Sequence, residues 1–457
     1  MNVTLRISGV HHQALKAHLF PGDGLEAVAF ALCGRHRGDR GELLTVHRLV
    51  PVPHELCRRA WDHVTWPTDV LARLLDEAKR RSLGVVKFHS HTGSYGDFSP
   101  SDDASDRETF SSVSSWLDDG RHHGSAVMLP DGRVFGRSIA DHGWEPFAGI
   151  TLVSDDISYR RQNGDQAAAG ADLEAQRQLF GAGTTNALRK LRVGVVGVSG
   201  TGSIVVELLA RLGVGALLMV DDDTIEERNL NRILNSKRTD IGRPKVAVLA
   251  EAVQQMGLGT EAIPLALNLY DRRAVGPVAE CDVVFGCMDT AEGRHLLNRI
   301  ATFYLVPYFD LGVHLSADGS GNISEASGVV HYVQPGRSSL LSRKAYTPER
   351  VRAENLHRTD PAAYRDQREA GYLDNVDEHS PAVASVNAAV ASLAVNEFLA
   401  RVHPFRSCGN GDCATSRLNF MEALIFHEDE GADDESLRPH VGKGGVEPLL
   451  DWPSLSK

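Results

Sequence analysis

The sequence predicts an α/β protein in two units: an N-terminal α/β domain, then a Rossmann-like, doubly wound, mainly parallel sheet. Three observations carry this. Short β-branched runs alternate with helical patterns along two stretches, separated by a polar, Ala/Gly-rich segment. A glycine-rich turn, GVSGTG at Gly197 to Gly202, falls between a strand-like run and a helical one. The chain, at 457 residues, is long enough for more than one core.

In the first unit the apolar runs Ala27 to Leu32, Leu43 to Val52, Leu83 to Phe88 and Ser125 to Leu129 read as strands, with a helical pattern over Asp69 to Arg81. This domain is placed at 1–150. Residues 151–185 carry little periodic apolar content and read as a linker with a connecting helix. The second unit opens with LRVGVVG from Leu191, followed by a helix from Ser203 to Leu212 and the strands ALLMVDDD, CDVVFGCMD and LVPYFDLGV. It is placed at 186–405. Within it, residues 336–380 are strongly charged and read as an exposed, mobile insertion. A helix follows from Ala382 to Arg401, then a tail at 406–457 holding Cys408 and Cys413.

Composition excludes several function classes. The net charge of −12, with no Lys/Arg cluster on any segment, argues against nucleic acid or an anionic membrane as main partner. The N-terminus lacks a signal-peptide run, and the most apolar region, Val193 to Val220, is broken by Glu207 and Arg211. Six dispersed cysteines suit a reducing compartment, so a soluble cytoplasmic protein is expected.

The stretch KFHSHTGSYGDFSPSDD suggests a metal site. Residues two apart on a strand share a face, so His89 and His91 can present imidazoles to one ion. Asp102 follows on a segment able to fold back, and two histidines, an aspartate and a water make the open tetrahedral site of a catalytic zinc. Ser99, Pro100 and Asp102 also form a helix start on their own account. The full H-x-H-x7-S-x2-D spacing resembles the JAMM (MPN-plus) metallopeptidases, which cut after the C-terminal glycine of ubiquitin-like proteins. By that resemblance His89, His91 and Asp102 bind zinc, Glu26 in GLEAVAFALCG moves the water's proton, and Ser99 hydrogen-bonds the developing oxyanion. Thr92 stands where the family often has proline.

The spacing of GVSGTG is G-x-x-G-x-G, with Ser199 where a dehydrogenase would have its second glycine. Backbone amides at Gly197, Gly200 and Gly202 can hold a phosphate chain, and Asp221, ending the next strand, lies where an acid binds a ribose hydroxyl. With Asn229, Arg232, Lys245 and Asp289, this half resembles the ThiF/MoeB-type adenylating enzymes over roughly 172–315 and the helix after Pro381. The resemblance implies that Asp221 holds the ribose of ATP, that Asn229, Arg232 and Lys245 neutralise the triphosphate, and that Asp289 binds magnesium. Arg177 matches an arginine that reaches a partner subunit's ATP site, which implies a homodimer. Ile233 replaces the usual glutamine. A carboxylate needs no general base; charge repulsion at the α-phosphorus is the obstacle, and cations remove it.

Two departures bear on function. Ser339 and Ser342 occupy the places of a zinc-binding C-x-x-C pair, so that structural zinc is expected to be absent or rebuilt. Residues 315–380 contain no cysteine for a thioester, which leaves the acceptor open among a thiol, sulfide and a serine ester at Ser339 or Ser342. Together the resemblances imply a bifunctional enzyme, using Zn2+, ATP and Mg2+, that trims or removes a ubiquitin-like tag and adenylates its terminal glycine. Two alternatives stand beside it. One is activation of a sulfur-carrier protein in cofactor or cysteine biosynthesis; the other is a tag-binding scaffold with one inactive half. The implied partners are the C-terminal tail of such a tag, a second copy of the chain and a conjugating enzyme.

Overall fold

The computed structural model describes residues 2–140, 143–161, 173–373, 376 and 381–456. The chain divides into two compact units, one of Met1–Asp165, Thr302–Leu305 and Pro439–Asp451, the other of Gln166–Ala301, Val306–Arg438 and Trp452–Lys457.

The first unit holds β1 (Val3–Ser8), α1 (Gly9–Leu19), β2 (Val28–Gly38), β3 (Gly41–Pro51), the short pair β4 (Arg58–Arg59) and β5 (Val64–Thr65), α2 (Asp69–Arg81), β6 (Gly84–Ser90), α3 (Pro100–Leu117), β7 (His123–Met128), β8 (Val134–Ala140), β9 (Gly143–Pro146), β10 (Gly149–Val153) and β11 (Ile157–Arg161). All but the short pair form one mixed sheet in the order β11-β10-β1-β3-β2-β6-β7-β8-β9. Each face has its own core. Leu15 and Leu19 of α1 pack with Leu5, Val46 and Phe88 on one side; Leu71, Leu74, Leu75 and Ala78 of α2 pack with Phe30, Val85 and Phe110 on the other. The α2 quartet recurs at i, i+3, i+4 and i+7, the stripe a core-facing helix requires. Burying each of its leucines contributes about 1.5–3 kcal/mol. All seven residues of β6 are buried, as expected of a strand covered on both faces.

The second unit holds α4 (Glu174–Leu188), β12 (Arg192–Val196), α5 (Gly200–Arg211), β13 (Ala216–Val220), α6 (Lys245–Met256), β14 (Glu261–Leu265), α7 (Arg272–Ala279), β15 (Val283–Gly286), α8 (Ala291–Tyr304), β16 (Tyr308–Ala317), β17 (Ile323–Val333), α9 (Pro348–Thr359), α10 (Pro361–Glu369), α11 (Ala384–Val402), β18 (Thr415–Asn419) and β19 (Leu424–Glu428). Its sheet runs β14-β13-β12-β15-β16-β17-β18-β19. The first five strands are parallel; β17 to β19 are added antiparallel. Strand order reverses between β12 and β15, so the loops after these two strands open onto one crevice.

The structure corrects the sequence-based boundaries in three places. The linker placed from 151 is in its first part sheet: β10 pairs in parallel with β1, and β11 closes the edge. These strands are short and half polar, which hid their periodicity; residues 162–172 of that linker lie outside the described residues. The tail placed at 406–457 contributes β18 and β19 to the second sheet, while Pro439–Asp451 belongs to the first unit. There Gly442 meets β2 and β3: its carbonyl accepts from Gly34 N at 3.2 Å and Thr45 Oγ1 at 2.8 Å. A Cβ on Gly34 would lie 2.2 Å from the Lys443 carbonyl carbon, so glycine is required for this approach. The charged segment 336–380 is no loose excursion either. It forms α9 and α10, with Ala353 and Tyr364 buried; residues 374–375 and 377–380 lie outside the described residues.

Candidate functional sites

The metal-type constellation is built where β6 ends and α3 begins. Ser99 is the N-cap of α3: its Oγ accepts from Asp102 N at 3.1 Å, Pro100 occupies the first turn, and Asp102 Oδ2 accepts in return from Ser99 N at 2.7 Å. The capping box that could have explained these residues without function therefore exists, and it also sets the orientation of Asp102. Ser99 Oγ donates to the same Oδ2 at 2.8 Å. That carboxylate faces both imidazoles, Oδ1 at 2.9 Å from His89 Nε2 and Oδ2 at 3.2 Å from His91 Nε2.

These residues fit a zinc ion on two counts. Ligand atoms around a tetrahedral ion with bonds near 2.0–2.1 Å stand about 3.3 Å apart, and one donor atom from each of His89, His91 and Asp102 lies within 4.8 Å of the others. His89, 3 % exposed, has Asp102 Oδ1 beside Nε2 and no hydrogen-bond partner on Nδ1, and two acceptors facing each other at 2.9 Å are costly unless a proton or a cation lies between them. His91 Nδ1 lies 3.0 Å from Tyr95 O; a proton donated there leaves Nε2 with its lone pair toward Asp102. Burial lowers the pKa of His89, favouring the neutral ligand form. Burial works against ionising Asp102 too, yet hydrogen bonds from His89 and His91 hold it well below the usual carboxylate range.

Glu26 precedes β2 and is 5 % exposed, not solvated as a strand-end glutamate usually is. Its backbone is fixed on both sides, N donating to Ala60 O at 2.8 Å and O accepting from Arg59 Nε at 2.8 Å. Burial pushes its carboxyl up to about 7, with His91 opposing and Asp102 adding to the shift. A carboxylate poised near neutrality is suited to moving a proton. Neither Tyr95 nor Arg59 is legible from spacing, because Tyr95 acts through its backbone carbonyl and Arg59 lies 33 positions from Glu26.

The second constellation lies at the switch point of the parallel sheet. Gly197 has φ +82° and its N donates to Val220 O at 2.9 Å. Helix α5 starts at Gly200, three residues before the predicted start, because Gly200 and Gly202 form its first turn. A Cβ at Gly200 would meet Asn387 Nδ2 at 2.5 Å. Asn387, on α11 and far away in sequence, is a neighbour of the loop that the sequence did not reveal.

Asp221 holds the loop and the cation together. Its Oδ2 accepts from Val198 N at 2.8 Å, and its Oδ1 lies 3.7 Å from Lys245 Nζ. Lys245 Nζ also donates to Asp223 Oδ2 at 2.6 Å. Burial raises the pKa of Asp221 although Lys245 opposes it. Asn229 is buried, its Oδ1 accepting from Glu226 N at 3.0 Å; Arg232 Nη1 donates to Arg228 O at 2.8 Å. Asp289 is exposed, three residues beyond β15, and Arg177 is exposed on α4. The structure thus joins the glycine loop, at Val198, to Asp221 and Lys245 by direct contacts, whereas Asp289 and Arg177 take no part in them. Ile233 is buried and packs as core.

Ser339 is buried, whereas Ser342 is exposed and bonded to Ser339. Ser339 is 3 % exposed and donates to Asp434 Oδ2 at 2.5 Å; Ser342 Oγ lies 3.0 Å from Ser339 N. Neither the burial nor the committed hydroxyl of Ser339 suits an acyl acceptor, which corrects the serine-ester expectation at that residue. Cys281 and Cys287 flank β15 instead of lying on it, and burial pushes the Cys287 thiol far up, as expected of inert thiols.

The two sheets and their glycine, carboxylate and imidazole groups define an α/β protein in which a mixed-sheet domain with a metal-type triad is fused to a Rossmann-like unit with a phosphate-type loop. Residues 173–428 match the ThiF family, and the chain belongs to that family; residues 9–135 match the prokaryotic homologs of the JAB domain. Among similar proteins, the SAMP-activating enzyme E1 of Haloferax volcanii is 34 % identical over 116 residues, 25 % of this chain and 43 % of that protein. The adenylyltransferase and sulfurtransferase UBA4 of Meyerozyma guilliermondii is 28 % identical over 156 residues, 32 % of this chain and 37 % of that protein. The chain thus spans less than half the length of the curated relatives it matches. The crystal structure of E. coli MccB is 13 % identical with a TM-score of 0.46, covering 89 % of this chain and 95 % of that one. Among the described residues no helix is long and apolar enough to cross a membrane.

Proposed function

We propose that the chain processes and activates one ubiquitin-like or sulfur-carrier protein, cleaving after its terminal glycine in the first unit and adenylating that glycine with ATP in the second. The observation that carries the first half is the pair of imidazoles on one carboxylate, with His89 otherwise without a hydrogen bond. His89, His91 and Asp102 would hold zinc, which supplies a water acidified to near neutral pH. Glu26 takes that water's proton and returns it to the leaving amine, and Ser99 Oγ turns its proton from Asp102 Oδ2 to the oxyanion.

For the second half, the Gly197 loop and the N-terminus of α5 receive the phosphates, and Asp221 accepts from the ribose. Lys245 exchanges Asp223 for the triphosphate, and Arg232 and Asn229 add donors, so that the glycine carboxylate can approach the α-phosphorus. Asp289 would hold magnesium, which offsets charge on the departing pyrophosphate. Arg177, exposed on α4, is available to a second copy, and we read the active form as a homodimer. Membership of the ThiF family and the names of the Haloferax and Meyerozyma relatives support this chemistry.

Activation of a sulfur carrier is the reading favoured by the lack of any cysteine in 315–380, since a sulfide acceptor needs no enzyme thioester. ATP:pyrophosphate exchange with purified candidate tags, run beside zinc analysis of the protein, tests both halves. Exchange and one zinc per chain are expected. ATP binding without exchange for any tag would favour a scaffold.

A further inference from the structure

Behind the metal-type triad lies a second charged cluster, almost wholly buried. Asp106, in α3 one turn after Asp102, is fully buried; Lys87 is 3 % and Arg137 6 % exposed. Arg137, on β8, donates through Nη2 to Asp106 Oδ2 at 2.6 Å and through Nη1 to Asp103 Oδ1 at 2.6 Å. Lys87 Nζ pairs with Asp106 Oδ1 and donates to Ser105 Oγ at 3.1 Å. The guanidinium lies 3.8 Å from the ring centre of Phe98 and 4.1 Å from that of Trp144.

Burying two cations around the single buried carboxylate of Asp106 is expensive, and an apolar cluster of the same volume would hold the fold as well. What the cluster adds is direction. Lys87 precedes His89 by two residues on β6, so its side chain lies on the same face as the imidazole. Asp103 follows Asp102 directly, and Phe98 directly precedes the Ser99 cap. The strand carrying His89, the helix carrying Asp102 and the residue before the cap are thus all tied to Arg137 or, through Asp106, to Lys87.

We propose that Arg137, with Asp103, Asp106 and Lys87, is a positioning clamp that fixes the distance between the His89 imidazole and the Asp102 carboxylate, and so sets the affinity and geometry of the metal site. This rests on the metal-site reading above. Bidentate Arg137 holds the roll of α3 about its own axis, which a single ammonium cannot do. Outer partners of metal ligands typically change metal affinity 10–100-fold when removed.

The test uses the full chain, stripped of metal and titrated with zinc against a chromophoric chelator, and with Co(II) read by its visible d–d absorption. Arg137→Met is expected to weaken zinc at least tenfold and to alter the Co(II) band, and Arg137→Lys to recover part of the affinity. Asp103→Asn, at the more exposed end of the clamp, is expected to weaken zinc severalfold and keeps the test decisive if Arg137→Met does not fold. Folded variants with wild-type zinc affinity and an unchanged Co(II) spectrum would overturn the clamp while leaving the metal site standing. A wild-type chain that takes up no zinc would overturn both.

Discussion

Replacing Gly202 by alanine tests the phosphate-loop assignment at its tightest point. A Cβ built on Gly202 would lie 1.9 Å from the carbonyl oxygen of Gly197 and 2.9 Å from its carbon. Non-bonded carbon and oxygen keep about 3 Å or more between them, so α5 and the loop would have to part by about 1 Å. The opposing atoms are backbone, and no rotamer change relieves the overlap. Overpacking of this kind costs about 1–3 kcal/mol of stability. A shift of about 1 Å in groups that position a reacting phosphate can lower turnover about 100-fold. Titration with a fluorescent ATP analogue, thermal unfolding with and without Mg·ATP, and ATP:pyrophosphate exchange measure binding, stability and turnover in turn. Binding is expected to weaken at least tenfold and the stabilisation by ATP to vanish. Gly183→Ala, in α4 with no atom near its Cβ position, is the control and is expected to gain about 0.5–1 kcal/mol. Wild-type nucleotide affinity and unfolding temperature in Gly202→Ala would refute the claim that this loop cradles phosphate.

Lys245→Met removes the cation shared by Asp221 and Asp223, and is expected to weaken ATP about 10–100-fold by the same titration; a smaller change would place the triphosphate elsewhere. Glu26 has a folded pKa raised to about 7 from 4.5, so in metal-free protein its contribution is fully favourable below pH 4.5 and is lost as pH rises through 7. Thermal unfolding across that window should therefore show Glu26→Gln gaining on the wild type as pH rises, and parallel curves would contradict it. Ser339→Ala leaves the buried Asp434 carboxylate short of a donor and is expected to cost about 1–3 kcal/mol in denaturant unfolding. Any acyl adduct trapped on the chain should survive this substitution in mass spectrometry, whereas its loss would revive an acyl role for this hydroxyl.

The sequence disclosed the parts of each site that depend on spacing within one segment. His89, His91, Ser99 and Asp102 lie within fourteen positions and were legible together because a strand end and a helix cap fix their directions. Helix α2 was legible to the residue, since four buried positions at helical spacing leave little freedom. Asn387 beside Gly200, and Arg137 behind Asp102, were not legible. They arrive from distant strands and helices, and nothing local distinguishes them from an ordinary surface amide or arginine. The charged stretch 336–380 misled because most of its charges are exposed, while scattered buried side chains, among them Leu340, Tyr346, Ala353 and Tyr364, seat it.

Residues 439–451 run against β2 and β3 of the first unit although they come late in the chain. An amino-terminal fragment ending near residue 165 would therefore leave Gly34, Thr45 and His47 bare to solvent and without acceptors at Gly442 and Val441. Workers who split the gene between its two chemistries should find that half poorly behaved until a peptide spanning 439–451 is supplied in trans.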